Sequence, residues 1–255
     1  MELNYKTLGQ GQPLLILHGL FGTLDNWQTL GKQFSENFQV FLIDLRNHGR
    51  SPHSDEFSYQ LMSDDLLEFI QQHQLKEALI IGHSMGGKVA MNFALQHPDQ
   101  LSKLLVADIA PKHYPPHHDD IIAGFRSIDL NAIQSRQDAD TKLAEMVPDL
   151  GTRMFLLKNL YRKEDNTFGW RLNLDAIEKN LDQVLSTIES TTPFTKPVLF
   201  LRGANSRYIK PDQDLAPIKA LFPAAEIKTI ENAGHWLHAE QPEEFYRIAM
   251  EFLQA

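Results

Sequence analysis

Short runs of consecutive apolar residues recur along the chain, each ending abruptly in small or polar residues. They are Leu14-Leu15-Ile16-Leu17, Val40-Phe41-Leu42-Ile43, Ala78-Leu79-Ile80-Ile81, Leu104-Leu105-Val106-Ala107 and Val198-Leu199-Phe200-Leu201. Runs this short, with no polar face, predict strands covered on both sides. Residues 2–8, closed by the turn Gly9-Gln10-Gly11-Gln12, predict an opening strand, and residues 225–230 a last one. Between the runs the period changes to that of helices, over about 27–34, 85–95 and a stretch after Ser58. In that stretch Tyr59, Met62, Leu66, Phe69 and Ile70 share one face. The closing helix starts at Pro242 and carries Phe245, Ile248, Ala249, Phe252 and Leu253 as a stripe. Short buried strands alternating with helices predict a mostly parallel sheet with helices on both faces. Such sheets hold their sites beyond the carboxyl ends of the strands. His18, Asp44, Ser84, Asp108, Ser206 and His235 all fall just past predicted strand ends.

Residues 112–191 break the rhythm. They open on the Pro- and His-rich stretch Lys112-His113-Tyr114-Pro115-Pro116-His117-His118, show no clear strand, and predict helices over 138–146, 154–161 and 174–185. The expectation is a helical lid inserted between two strands of one sheet, with residues 1–111 and 192–255 forming the core. A lid there would exclude water and shape specificity.

Gly82-His83-Ser84-Met85-Gly86 sits between a strand and a helix, the context in which G-x-S-x-G carries chemistry. A one-residue apex forces Ser84 toward positive φ, and the flanking glycines let strand and helix nearly touch. A serine hydroxyl needs a base, and His235, in the loop after the last strand, is the candidate. The order of nucleophile and histidine is that of the α/β-hydrolases. His83 is expected to point away from its neighbour's hydroxyl, and His18 to hold its own loop. For an oxyanion, the backbone N–H of Met85 and that of Leu20 are the expected donors, with Phe21 as the alternative for the second.

The acid is less direct. Many α/β-hydrolases carry it after the penultimate strand, but here that turn is Gly203-Ala204-Asn205-Ser206, and Ser206 has no carboxylate. Asp108, after the strand that follows the nucleophile strand, is preferred, and Asp175 in the lid is the alternative. Asp44 and Arg46-Asn47-His48-Gly49 are expected to brace the loop beside the site. His117-His118-Asp119-Asp120 is expected to be a solvated lid face, because sequential neighbours rarely converge on one metal ion. Trp27, Trp170 and Trp236 are expected in packing or in pocket walls.

Composition removes whole classes of function. The 255-residue chain has a formal net charge of −9, which argues against nucleic acid or an anionic membrane as partner. With no cysteine there is no disulfide framework, thiolate metal site or Cys nucleophile. No basic segment followed by an apolar run opens the chain and no apolar stretch approaches membrane-spanning length, so cytoplasm is the expectation.

Taken together, the motifs resemble those of the bacterial YbfF-type esterases of the α/β-hydrolase superfamily and their mitochondrial relatives. The resemblance rests on His18-Gly19-Leu20-Phe21-Gly22, Arg46-Asn47-His48-Gly49, the segment from Gly82 to Lys88, Trp170-Arg171-Leu172-Asn173-Leu174-Asp175, Gly203-Ala204-Asn205-Ser206 and the segment from Gly234 to Glu240. It implies a carboxylesterase without a cofactor, acting on a small-molecule ester or an acyl thioester such as an acyl-CoA. It carries Ser84 and His235 over as catalytic residues and leaves the acid open between Asp108 and Asp175. Other chemistry on the same fold (C–C hydrolase, lyase or perhydrolase) and a non-catalytic binding module are the alternatives.

Overall fold

The structure, a computed structural model, describes residues 1–255. Its strands are β1 (Tyr5–Leu8), β2 (Pro13–Leu17), β3 (Gln39–Ile43), β4 (Ala78–His83), β5 (Leu101–Ala107), β6 (Leu160–Arg162), β7 (Phe168–Trp170), β8 (Val198–Gly203) and β9 (Ala225–Ile230). Seven form one sheet in the order β1-β3-β2-β4-β5-β8-β9, and β6 and β7 form a separate hairpin. All neighbours in the large sheet are parallel except β1 and β3. The turn between β1 and β2 is too short for a crossover and can only reverse the chain.

The core helices are α1 (Gln28–Phe34), α2 (Tyr59–Gln72) and α3 (Met85–Gln96). Next come α4 (Asp119–Arg126), α5 (Arg136–Leu143), α6 (Leu150–Leu156), α7 (Leu174–Lys179) and α8 (Leu181–Leu185). The chain ends with α9 (Pro211–Leu221), α10 (Leu237–Glu240) and α11 (Pro242–Gln254). The apolar runs are buried on both faces because alternate residues serve opposite cores. Leu15, Leu17, Ile80, Leu104 and Val106 pack with Met62, Leu66, Val89 and Phe93 of α2 and α3. Leu14, Ile16, Leu79, Ile81 and Leu105 pack with Leu30, Phe34, Phe245 and Ile248 of α1 and α11. The Ser58 hydroxyl caps α2 by accepting from the Leu61 N–H at 3.3 Å. No helix is long and apolar enough to cross a membrane.

Strands β5 and β8 are parallel neighbours, with Leu104 opposite Val198, so the chain between them leaves the sheet and returns. That excursion differs in detail from the sequence expectation. It contains the β6–β7 hairpin, whose three-residue strands are too short to show a period. Helix α6 begins at Leu150, because the Asp149 carboxylate caps it by accepting from Thr152 N–H at 2.7 Å. The helix expected over 174–185 is two, broken at Asn180, whose side-chain amide donates to Ala176 O at 2.8 Å and Asp55 O at 3.0 Å. A side chain that bonds the backbone of its own turn competes with the helix ladder.

Candidate active site

At the end of β4 the chain turns into α3 through one residue. Ser84 has φ 52° and ψ −119°, a sparsely populated conformation that costs about 1–3 kcal/mol and persists only where the surroundings impose it. They do so here. A methyl group on Gly82 would lie 2.3 Å from Gly86 O, and one on Gly86 would lie 2.5 Å from Leu17 O. The Ser84 N–H donates to Ala107 O at 3.0 Å, tying the apex to β5.

Three strand ends converge on this apex. His235, in the loop between β9 and α10, places Nε2 3.0 Å from Ser84 Oγ. Its Nδ1 lies 2.8 Å from Asp108 Oδ2. Asp108 follows β5 directly, has φ 53° and is fully buried. A carboxylate only accepts hydrogen bonds, so Nδ1 carries the ring proton and Nε2 is left to accept from the serine hydroxyl. Asp108 has further donors: the Gly203 N–H reaches Oδ1 at 3.1 Å, and the Ser206 hydroxyl donates to Oδ2. The end of β8 and the loop after it, which lack an acid, therefore supply donors to an acid at the end of the neighbouring strand.

The loop after β2 lies against Ser84, since a methyl on Gly19 would meet Ser84 Cβ at 3.2 Å. The N–H groups of Leu20 and Met85 have no acceptor within the protein, whereas the Phe21 N–H donates to His48 Nε2 at 3.2 Å. The Phe21 N–H is thus already engaged within the protein. His18 holds its own loop as expected: Nδ1 donates to Gly19 O at 2.8 Å and Nε2 accepts from Leu45 N–H at 3.0 Å. Burial lowers its imidazole to about 4 and that of His48 to about 3, so both are neutral braces. Asp44 accepts from Leu24 N–H at 2.7 Å and Arg50 N–H at 2.9 Å. Arg46 is paired in the interior with Asp65 at 2.6 Å. His83 points away from the Ser84 hydroxyl; its Nε2 donates to His235 O at 2.8 Å.

A cavity of about 360 Å³ opens onto Ser84 and His235. Leu20 and Phe21 line it from the core, and Ile121, Val147, Phe155 and Leu156 from the inserted segment. Asp175 is elsewhere: its side chain is 83% exposed and pairs with Arg126 at 2.5 Å. His118 departs from the expected solvated face. It is half-buried against the Phe21 ring at 5.8 Å, lines the cavity, and burial with the neighbouring His117 lowers it to about 3. Trp27 packs in the core, stacked on His238 at 4.2 Å. Trp170 packs edge-on to Phe125 at 4.9 Å, and Trp236 forms cavity wall.

Tyr208, which sequence reasoning missed, covers one face of the His235 ring, with centroids 3.8 Å apart and planes 14° from parallel. Its hydroxyl donates to His117 Nε2 at 2.5 Å, and its N–H donates to Ser206 Oγ at 3.2 Å. No periodicity or motif signals such a residue. Its position is set by the loop between β8 and α9.

Comparison with known proteins agrees with this architecture. The alpha/beta hydrolase fold family matches residues 12–126. The mouse (Mus musculus) sn-1-specific diacylglycerol lipase ABHD11 is 40% identical over 99% of this chain and 85% of its own. Esterase YbfF of Escherichia coli K12 is 34% identical over 99% of both chains. A solved structure described as a marine microorganism esterase superposes with a TM-score of 0.96 at 47% identity, covering 98% of this chain and 99% of its own. This chain belongs to the α/β-hydrolase fold family, on the branch that contains the YbfF-type esterases.

Proposed function

We propose that the protein hydrolyses carboxylic esters through an acyl-enzyme formed on Ser84. The single observation that carries this reading is the unbroken line from Ser84 Oγ to His235 Nε2 at 3.0 Å and from His235 Nδ1 to Asp108 at 2.8 Å. Relatives named as esterases and as a diacylglycerol lipase support the ester-hydrolase class.

Ser84 Oγ attacks the ester carbonyl carbon as His235 Nε2 takes its proton. The carbonyl oxygen, now an alkoxide, is held by the N–H groups of Leu20 and Met85, the second at the positive end of α3. Asp108 offsets the charge on the imidazolium and keeps the ring oriented. The tetrahedral species collapses, the ester C–O bond breaks, and the alcohol leaves with the proton from His235. Water then gives a proton to His235 and attacks the acyl carbon, and Ser84 Oγ departs with that proton. In the same site a thioester would release a thiol, and acyl thioesters are a second substrate class for assay.

Residues 112–191 act as the lid and the wall of the acyl site. Support comes from the apolar side chains they contribute, Ile121, Met146, Val147, Phe155 and Leu156 among them, to a cavity large enough for a small to medium acyl chain. The test is p-nitrophenyl ester turnover by Ser84→Ala. A loss of more than about a thousandfold at unchanged melting temperature is expected; wild-type turnover would refute the reading. Acyl chains of rising length and acyl-CoA thioesters, assayed in parallel, define the substrate range.

A further inference from the structure

Lys88 lies one turn beyond Ser84 on α3, with its N–H donating to Ser84 O at 3.1 Å, and it is 1% exposed. Burying an ammonium is expensive unless every hydrogen finds an acceptor. Its Nζ donates to three backbone carbonyls: Lys112 O at 2.8 Å, Ser186 O at 2.5 Å and Leu185 O at 3.4 Å. The rings of Tyr114 and Tyr59 face the same nitrogen at 4.9 Å and 5.6 Å. The Lys112 ammonium, the other charge nearby, is bound to Asp214 at 2.6 Å. Burial and Lys112 lower the Lys88 ammonium to about 7, so below that pH it carries three hydrogens for three oxygens.

Those carbonyls mark both stems of the inserted segment. Lys112 opens it, and Leu185 and Ser186 end α8, whose carbonyl end favours a cation. The stems also bond to each other: Tyr114 N–H donates to Leu185 O at 3.0 Å, and the Thr187 hydroxyl donates to Pro111 O at 2.8 Å. From there the contacts lead back to the site, because the Tyr114 hydroxyl donates at 2.7 Å to the carbonyl of Tyr208, whose ring stacks on His235.

We propose that Lys88 is a positioning residue that fastens both stems of the inserted segment to the nucleophile helix and thereby sets which acyl chains the Ser84 cavity accepts. It rests on reading residues 112–191 as the wall of the acyl site. Lys88 touches neither substrate nor reacting atoms and acts through where the wall stands.

The test compares p-nitrophenyl octanoate with p-nitrophenyl acetate at pH 6, where the ratio of kcat/KM values cancels the shared chemistry. Lys88→Met, which keeps the length without the donors, should lower that ratio at least about fivefold through a raised KM for octanoate. Acetate turnover should stay within about threefold, and Lys88→Arg should hold the ratio nearer the wild-type value. An unchanged ratio in Lys88→Met, or equal loss of both esters with a lowered Tm, overturns the proposal. Phe155→Ala, in the wall itself, separates the two readings: a changed ratio there beside an unchanged one in Lys88→Met sinks only the role of Lys88. No change in either variant sinks the wall as well. If Lys88→Met does not fold, Lys88→Gln is read by the same criteria, and failure of both to fold makes the group merely structural.

Discussion

The hydroxyl of Ser206 donates to Oδ2 of Asp108, the same carboxylate oxygen that meets the His235 ring. Two adjacent strand ends, those of β5 and β8, thus meet at one carboxylate, the first giving it and the second a donor to it. The arrangement predicts a swap. Ser206→Ala should lower kcat about three- to tenfold by removing one donor to a charged acceptor. Asp108→Asn with Ser206→Asp should recover at least about tenfold of the activity lost in Asp108→Asn alone, since the new carboxylate enters from the neighbouring position. Steady-state kinetics on p-nitrophenyl esters reads both; a double variant no better than Asp108→Asn would contradict it.

The two candidate acids lie in opposite surroundings. Asp108→Asn should lower kcat about 10³- to 10⁴-fold, because an amide in place of the carboxylate stabilises the wrong tautomer of His235. Asp175 is exposed and bound to a surface arginine, an ion pair worth about 0–1 kcal/mol. Asp175→Asn should therefore leave kcat within about twofold. The reverse pattern would move the acid to the inserted segment.

Gly86 faces the carbonyls of Leu17 and His18, which a methyl group would meet at 2.5 Å and 2.6 Å. Both are backbone atoms in a buried strand end and cannot swing aside. Gly86→Ala should cost about 2–4 kcal/mol and lower Tm by roughly 5–15 °C, with activity falling further than stability accounts for. A thermal melt matching the wild type would show that the turn is looser than its contacts indicate.

Four histidines, His18, His48, His83 and His238, are buried and held neutral by burial, each below the usual imidazole value of 6.5. His48 and His238 are brought to about 3 and His18 to about 4. The unfolded chain binds these protons near pH 6.5 and the folded chain does not. Stability is therefore complete above pH 6.5 and falls as the pH drops toward 4, by up to about 1.4 kcal/mol per pH unit for each histidine. Urea midpoints should hold from pH 7.5 to about 6.5 and decline from there to about pH 5, less steeply in His238→Phe. A flat profile would mean that these rings take up protons without unfolding.

How much of this was legible in the sequence follows from the range of the interactions. Ser84 could be picked out because its strand, apex and helix are consecutive, and His235 because it follows a strand end in the expected order. The layered sheet was legible for the same reason, since burial on both faces leaves unbroken apolar runs. Tyr208 and Lys88 gave no signal. One stacks across a loop and the other bonds carbonyls 24, 97 and 98 residues away, and neither arrangement repeats along the chain. The break at Asn180 and the β6–β7 hairpin escaped because single side chains and three-residue strands decide them.

Treatment with a fluorophosphonate, followed by mass analysis of the intact protein and its peptides, asks where the activated oxygen is. One adduct is predicted, on the peptide that carries Ser84, absent from Ser84→Ala and formed far more slowly in Asp108→Asn. An adduct on another residue, or labelling that survives in Ser84→Ala, would contradict an acyl-enzyme at Ser84.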